Sequence, residues 1–297
     1  MLLRTTLICL AIVLLPVAPA LSDETLPESG SALLKRRMQE EMTQDNPFVI
    51  TPHKPNYILP VTYNSHPNQA PYPFGESLDN VEMKFQFSFK LPLVRDIFHN
   101  NGKLFFAYTN QSYWQAYNKD VSSPFRETNH EPEFFLTVDN DWNLFGMTNR
   151  SNGIGIVHQS NGRSEFLSRS WNRIYGFFVF DRGHFMMVIK PWYRIPEDEK
   201  TSPTDPEGDD NPDIEKYLGY GELYAFYKWE RQTIGLMLRN NLRRHENKGA
   251  VQLDWTFPVS RKVKGYVQYF NGYGESLIDY NASVNRIGIG VLLTDWL

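Results

Sequence analysis

The chain has 297 residues, with 30 basic and 34 acidic side chains and a formal net charge of −4. That mild acidity gives no support to nucleic-acid binding, and the single cysteine, Cys9, leaves neither a disulfide pair nor a thiolate metal cluster. A mean hydropathy of −0.46 suggests a soluble protein, but an aromatic share of 14% argues against stopping there.

The chain opens with Arg4 ahead of an apolar run, and Ala18-Pro19-Ala20 then supplies small residues at the spacing of a cleavage site. Residues 1–20 therefore read as a secretory signal peptide, and removing them also removes Cys9. Residues 21–50 are polar and read as an extended leader with little core of its own. It holds one short helical candidate near Ala32 to Met42. No later apolar run approaches the roughly 18 residues that a spanning helix needs.

From residue 51 to 297 the pattern has period two. In "VEMKFQFSFKLPL", Val81, Met83, Phe85, Phe87, Phe89, Leu91 and Leu93 alternate with Glu82, Lys84, Gln86, Ser88 and Lys90, which predicts a strand with one apolar and one polar face. The dyad returns at Leu104, Phe106 and Tyr108, at Val251, Leu253 and Trp255, and at Ile287, Ile289 and Val291. Turn signals such as His99-Asn100-Asn101-Gly102 and Asp181-Arg182-Gly183 separate the runs. About a dozen segments of roughly ten residues, behind a signal peptide, fit an all-β, antiparallel transmembrane barrel. Soluble strands average about 5 to 6 residues, and a secreted β-sandwich is the competing architecture. "NRSNG" at 149–153 resembles a turn, but an even strand count favours one strand from about Trp142 to Ser160. The acidic, proline-rich stretch 196–213 reads as an extracellular loop.

In the strand ending at Ser160, Ile154, Ile156, His158 and Ser160 share one face, and Asn172 on the next strand shares a face with Ile174 and Phe178. Those are the lipid-facing sides of a barrel. Polar groups aimed at a bilayer are costly unless they satisfy one another and serve a function. A serine nucleophile, a histidine base and an asparagine that orients the imidazole form such a group. A polar patch at the barrel rim is the bland alternative. Nearby loops are rich in oxygen donors, which favour Ca²⁺ over softer metals.

"SSPFRETN" (122–129), "HQSNGRS" with "SRSWNR" (158–173), "DDNPDIEKY" (209–217) and "GYGESLIDYN" (272–281) closely resemble outer membrane phospholipase A of Gram-negative bacteria. The resemblance runs from about residue 80 to the end. It implies a twelve-stranded barrel in the outer membrane with its active site on the outer wall. It also implies a Ca²⁺-dependent hydrolase of the acyl esters of phospholipids and lysophospholipids, switched on by homodimerisation. By position, Ser160 is the nucleophile, His158 the base and Asn172 the orienting residue. The calcium ligands implied are the backbone oxygens of Arg163 and Ser122, the latter from the other subunit, and the Ser168 hydroxyl. Asp210 matches the acid of a weaker site. Phe87, Phe89, Tyr108 and Trp114 fall at the dimer face and acyl-chain groove, where a lipid-facing aromatic belt is the other reading. The chain departs from the family at Gln159 and Glu165, where the resemblance implies aspartates, at Asn110, where it implies a glutamine that bonds across the dimer interface, and at the Trp296-Leu297 terminus. A non-enzymatic pore is the alternative function.

Overall fold

The computed structural model describes residues 31–43, 50–72, 77–120, 122–202, 205, 207–260 and 263–295. The expected signal peptide and the Trp296-Leu297 end lie outside them. Twelve long strands, each paired antiparallel with its chain neighbours, form the barrel. They are β1 (Asn56–Asn64), β2 (Val81–Val94), β3 (Lys103–Trp114), β4 (Phe125–Asp139), β5 (Met147–Ser160), β6 (Ser170–Arg182), β7 (Phe185–Ile195), β8 (Gly221–Trp229), β9 (Gln232–Asn240), β10 (Gly249–Pro258), β11 (Lys264–Tyr273) and β12 (Ser283–Thr294). Pairing of β12 with β1 closes the cylinder. Pro60 in β1 has no N–H to donate and sits at a register irregularity. Opposite it, a Cβ on Gly290 would lie 2.7 Å from the Pro60 ring and 2.1 Å from the Ile58 carbonyl, so only glycine fits.

"NRSNG" is strand, as the even count required. β5 begins at Met147 rather than near Trp142 because Phe145 (φ 50°) and Gly146 (φ 76°) form a tight turn that pairs Leu144 with Met147. Short turns of this kind join strands at one end, while long loops (65–80, 115–124, 161–169, 196–220) join them at the other. By the habit of such barrels, the long-loop end is extracellular.

The outer face carries exposed Phe134, Ile154, Ile156, Ile174, Phe178, Leu253, Trp255, Ile287 and Ile289. The inner face is polar and densely paired. Arg126 lies 2.9 Å from Glu82 and 2.7 Å from Asp279, and Arg286 lies 2.8 Å from both Glu82 and Glu275. Lys84 completes the cluster at 2.9 Å from Glu275. Buried charges survive only when so matched. Toward the extracellular end, Trp171, Trp192, Ile214, Leu218, Leu277 and Tyr280 pack into an apolar plug.

The leader is more than extended chain. Its run of Ala, Leu, Lys, Arg, Met and Glu favours helix, and α1 (Ala32–Thr43) forms with the Ser31 hydroxyl accepting from Leu34 N at 3.2 Å. Ser31 also donates to Asp181, and Ala32 packs on Met186 and Phe226 from the barrel interior. Glu40 pairs with Lys90 at 2.7 Å and Arg37 with Asp139 at 2.9 Å. The helix thus enters the lumen at the short-turn end, over a cavity of about 410 Å³. The sequence reading missed this docking because α1 buries only one end of itself.

Candidate active site on the outer wall

Along β5 the buried residues are Asn149, Ser151, Gly155 and Val157, and the exposed ones are Ile154, Ile156 and His158. Val157 is 1% exposed, which fixes the parity and turns His158 and Ser160 outward. Gln159 faces the lumen, where its side-chain oxygen accepts from Trp171 Nε1 (2.8 Å) and Arg173 Nη2 (3.2 Å). The inward side of β5 and β6 is therefore anchored directly behind the outward groups.

His158 and Asn172 are register partners, as are Ser160 and Ser170. His158 Nδ1 lies 2.9 Å from Asn172 Oδ1, and the Asn172 amide donates in turn to Glu197 Oε1 at 2.9 Å. Ser160 shares the face of His158, and no hydrogen bond joins the two side chains among the described residues. Catalytic contacts of this type commonly tighten only when substrate is bound.

The loop from Asn161 to Arg169 hangs on Asn161. Its side-chain oxygen accepts from Arg163 N (3.2 Å) and Arg169 N (3.0 Å), while its amide donates to Leu167 O (2.8 Å). Arg163 then reaches back to the carbonyls of Phe125 and Arg126 at 2.8 and 3.0 Å. Within this frame Ser168 Oγ donates to Asp210 Oδ2 at 2.7 Å, and Ser170 Oγ to the same atom at 3.2 Å. Lys200 holds the other oxygen, Oδ1, at 2.5 Å. These donors are all oxygens, as a hard cation requires. Ser168 and Asp210 are thus brought together. Arg163 lies on the same loop, and the exposed Ser122 lies in the loop before β4 with φ 60°. Among the described residues, no group of three or more His, Cys, Asp and Glu side chains converges as a metal cage.

Phe87 faces outward and is 43% exposed. Phe89 packs on Tyr108 with ring centroids 5.9 Å apart, and Trp114 stacks on Phe125 at 5.2 Å. Asn110, opposite Phe87 in register, makes contacts within its own chain: its Oδ1 accepts from Ser112 Oγ at 3.2 Å, and its Nδ2 donates to His130 Nδ1 at 3.4 Å. Sequence reasoning missed three residues of this surface. His130 pairs in register with Ser160 and meets the Tyr108 hydroxyl at 2.7 Å. Its parity with outward Phe134 was an available signal. Glu197 and Lys200 sit in a loop without periodicity and gave none.

The phospholipase A1 family model matches residues 33–293. The phospholipase A1 of Escherichia coli K12 is 37% identical over 295 residues, covering 96% of each chain. The calcium-bound dimer of the Salmonella typhi outer membrane phospholipase matches at 39% identity and TM-score 0.78, over 86% of this chain and 96% of that one. Outer membrane phospholipase A of Escherichia coli matches at 39% identity and TM-score 0.78, over 85% and 95%. A family match across nearly the whole barrel, with that identity and fold, settles the assignment: the chain belongs to the phospholipase A1 family.

Proposed function

We propose that the protein is a calcium-dependent phospholipase of the outer membrane, hydrolysing sn-1 and sn-2 acyl esters of phospholipids and lysophospholipids as a homodimer. The observation that carries the reading is the bond between His158 and Asn172 on the lipid-facing wall, in line with Ser160. Residues 1–20 would direct export and 51–297 form the catalytic barrel, with 21–50 as the leader between them.

Ser160 Oγ attacks the acyl carbonyl while His158 Nε2 removes its proton. Asn172 accepts from Nδ1–H and so holds the imidazole with Nε2 toward the serine. His158 then returns the proton to the departing lysophospholipid oxygen, and the same base activates the water that frees the fatty acid. Ser168, the Arg163 carbonyl and the Ser122 carbonyl of the second subunit would hold the calcium, with Asp210 serving a weaker site. Held there, calcium would supply a positive charge beside the acyl carbonyl oxygen. Phe87, Phe89, Tyr108 and Trp114 would line the acyl chain and the dimer face.

A diffusion channel needs an open polar lumen, and the paired charges and the apolar plug occupy this one. The test is hydrolysis of a phospholipid by Ser160→Ala. Activity should vanish while heat-modifiable mobility on gels stays that of the folded barrel. Activity near wild type in that variant would overturn the reading.

A further inference from the structure

The Asn172 side chain has two faces, and both are engaged. Its Oδ1 lies 2.9 Å from His158 Nδ1, and its Nδ2 donates to Glu197 Oε1 at 2.9 Å. The second contact follows from the register. Ile195 at the end of β7 is the cross-strand partner of Asn172. Glu197 lies two residues beyond Ile195, just past the strand end, within reach of the Asn172 amide. Ser160 and His158 on β5, Asn172 on β6 and Glu197 just past β7 are therefore neighbours at the loop end of the wall. The carboxylate itself belongs to the loop 196–220.

An asparagine amide is ambiguous by shape, since rotating it by half a turn exchanges oxygen for nitrogen. A carboxylate only accepts, so the end of the amide facing Glu197 must be the NH2 group. The oxygen is then forced toward the imidazole, and it requires a hydrogen on Nδ1. That hydrogen leaves the Nε2 lone pair free for the serine proton. In the reversed amide, the NH2 group would face Nδ1 and favour the tautomer with Nε2 protonated, which is useless as a base. The reversed state would also set a carbonyl oxygen against a carboxylate and forfeit a charge-assisted bond.

We propose that Glu197 is a positioning residue that locks the Asn172 amide, and through it the His158 tautomer, in the form that lets His158 act as base. His158, Ser160 and Asn172 on the wall itself include no carboxylate, in keeping with the cost of a charge facing lipid. Glu197 supplies one from the aqueous rim, one hydrogen bond further out, where water still reaches it. This inference rests on the proposed roles of Ser160, His158 and Asn172.

The experiment is a double-mutant cycle in detergent micelles, read by kcat and KM separately, with Ser160→Ala as the inactive reference. Glu197→Ala should lower kcat by about tenfold, the worth of one charge-assisted hydrogen bond, and leave KM nearly unchanged. Glu197→Gln, whose carbonyl still accepts from the amide, should recover most of the loss. In an Asn172→Ala background, Glu197→Ala should have no further effect, because its influence passes through the amide. Nitrogen-15 NMR of His158, assigned by its absence in His158→Ala, should show the Nδ1–H tautomer dominant in wild type and mixed in Glu197→Ala. The proposal is overturned if kcat is unchanged in Glu197→Ala, if the loss is as large without Asn172, or if the tautomer does not move. A Ser160→Ala variant with near wild-type activity would instead remove the triad and Glu197 together.

Discussion

Lys200 holds one oxygen of Asp210 at 2.5 Å, while Ser168 and Ser170 bond the other. An ammonium fixed on a carboxylate competes with any second cation for the same charge. Lys200→Met should therefore tighten calcium binding by roughly threefold or more, measured by titration calorimetry on the folded barrel. Ser168→Ala should weaken binding and raise the calcium needed for activity. Calcium affinity equal to wild type in both variants would remove Asp210 and Ser168 from the ligand set. Single residues were unevenly readable in the sequence. Strict parity placed His158, Ser160 and Asn172 on one face, and cross-strand register then brought His158 to Asn172. The contacts that complete the surface come from the loop after β7. A loop's path depends on where its two ends are pinned, so no local pattern announced Glu197 or Lys200.

The strands followed directly from alternation, because a barrel wall between lipid and a polar lumen imposes it on every segment. Even "NRSNG" obeyed the wall rather than its turn-like composition, since Ser151 is buried and bonds Thr137 across the pair. The helix α1 was visible as a candidate, but its destination was not. It docks through charges, and that gives it a pH dependence. Burial raises the Glu40 carboxyl, but Lys90 and Arg36 outweigh burial and hold it below its ordinary value of 4.5. A carboxyl depressed in the folded state stabilises docking above that ordinary value, and the contribution fades as pH falls through the lowered one. Limited proteolysis within 32–43 should thus be slow at neutral pH and accelerate as pH falls below 4.5, with Glu40→Gln cleaved readily throughout. Cleavage of wild type that ignores pH would show the helix is held by its apolar end alone.

At the scale of the molecule, the sequence indicated the even strand count and the polar interior, yet not how fully charges and loops fill that interior. The proposed dimerisation is the property that one chain displays least. The outward surface around Phe87 and Tyr108 exposes apolar side chains such as Phe87 and Leu91, and lipid competes for them on nearly equal terms. Asn110 stands where the family resemblance calls for a glutamine, and here it is engaged by Ser112 and His130. An amide contact across a membrane interface is worth about 0.6 to 2 kcal/mol, or roughly threefold to thirtyfold in the equilibrium. Asn110→Gln should lower the protein concentration at which cross-linked dimer and activity appear together, and a shift in neither curve would dismiss that role. The alternation of the wall reaches further than its stability. Residues 157, 159, 171 and 173 are each covalent neighbours of a proposed catalytic group, yet they face the opposite compartment. Adjacency in the gene therefore says nothing about adjacency in the chemistry. A map of substitution effects along these two strands would look like a comb, with odd teeth recording how much barrel folds and even teeth how fast each folded copy turns over.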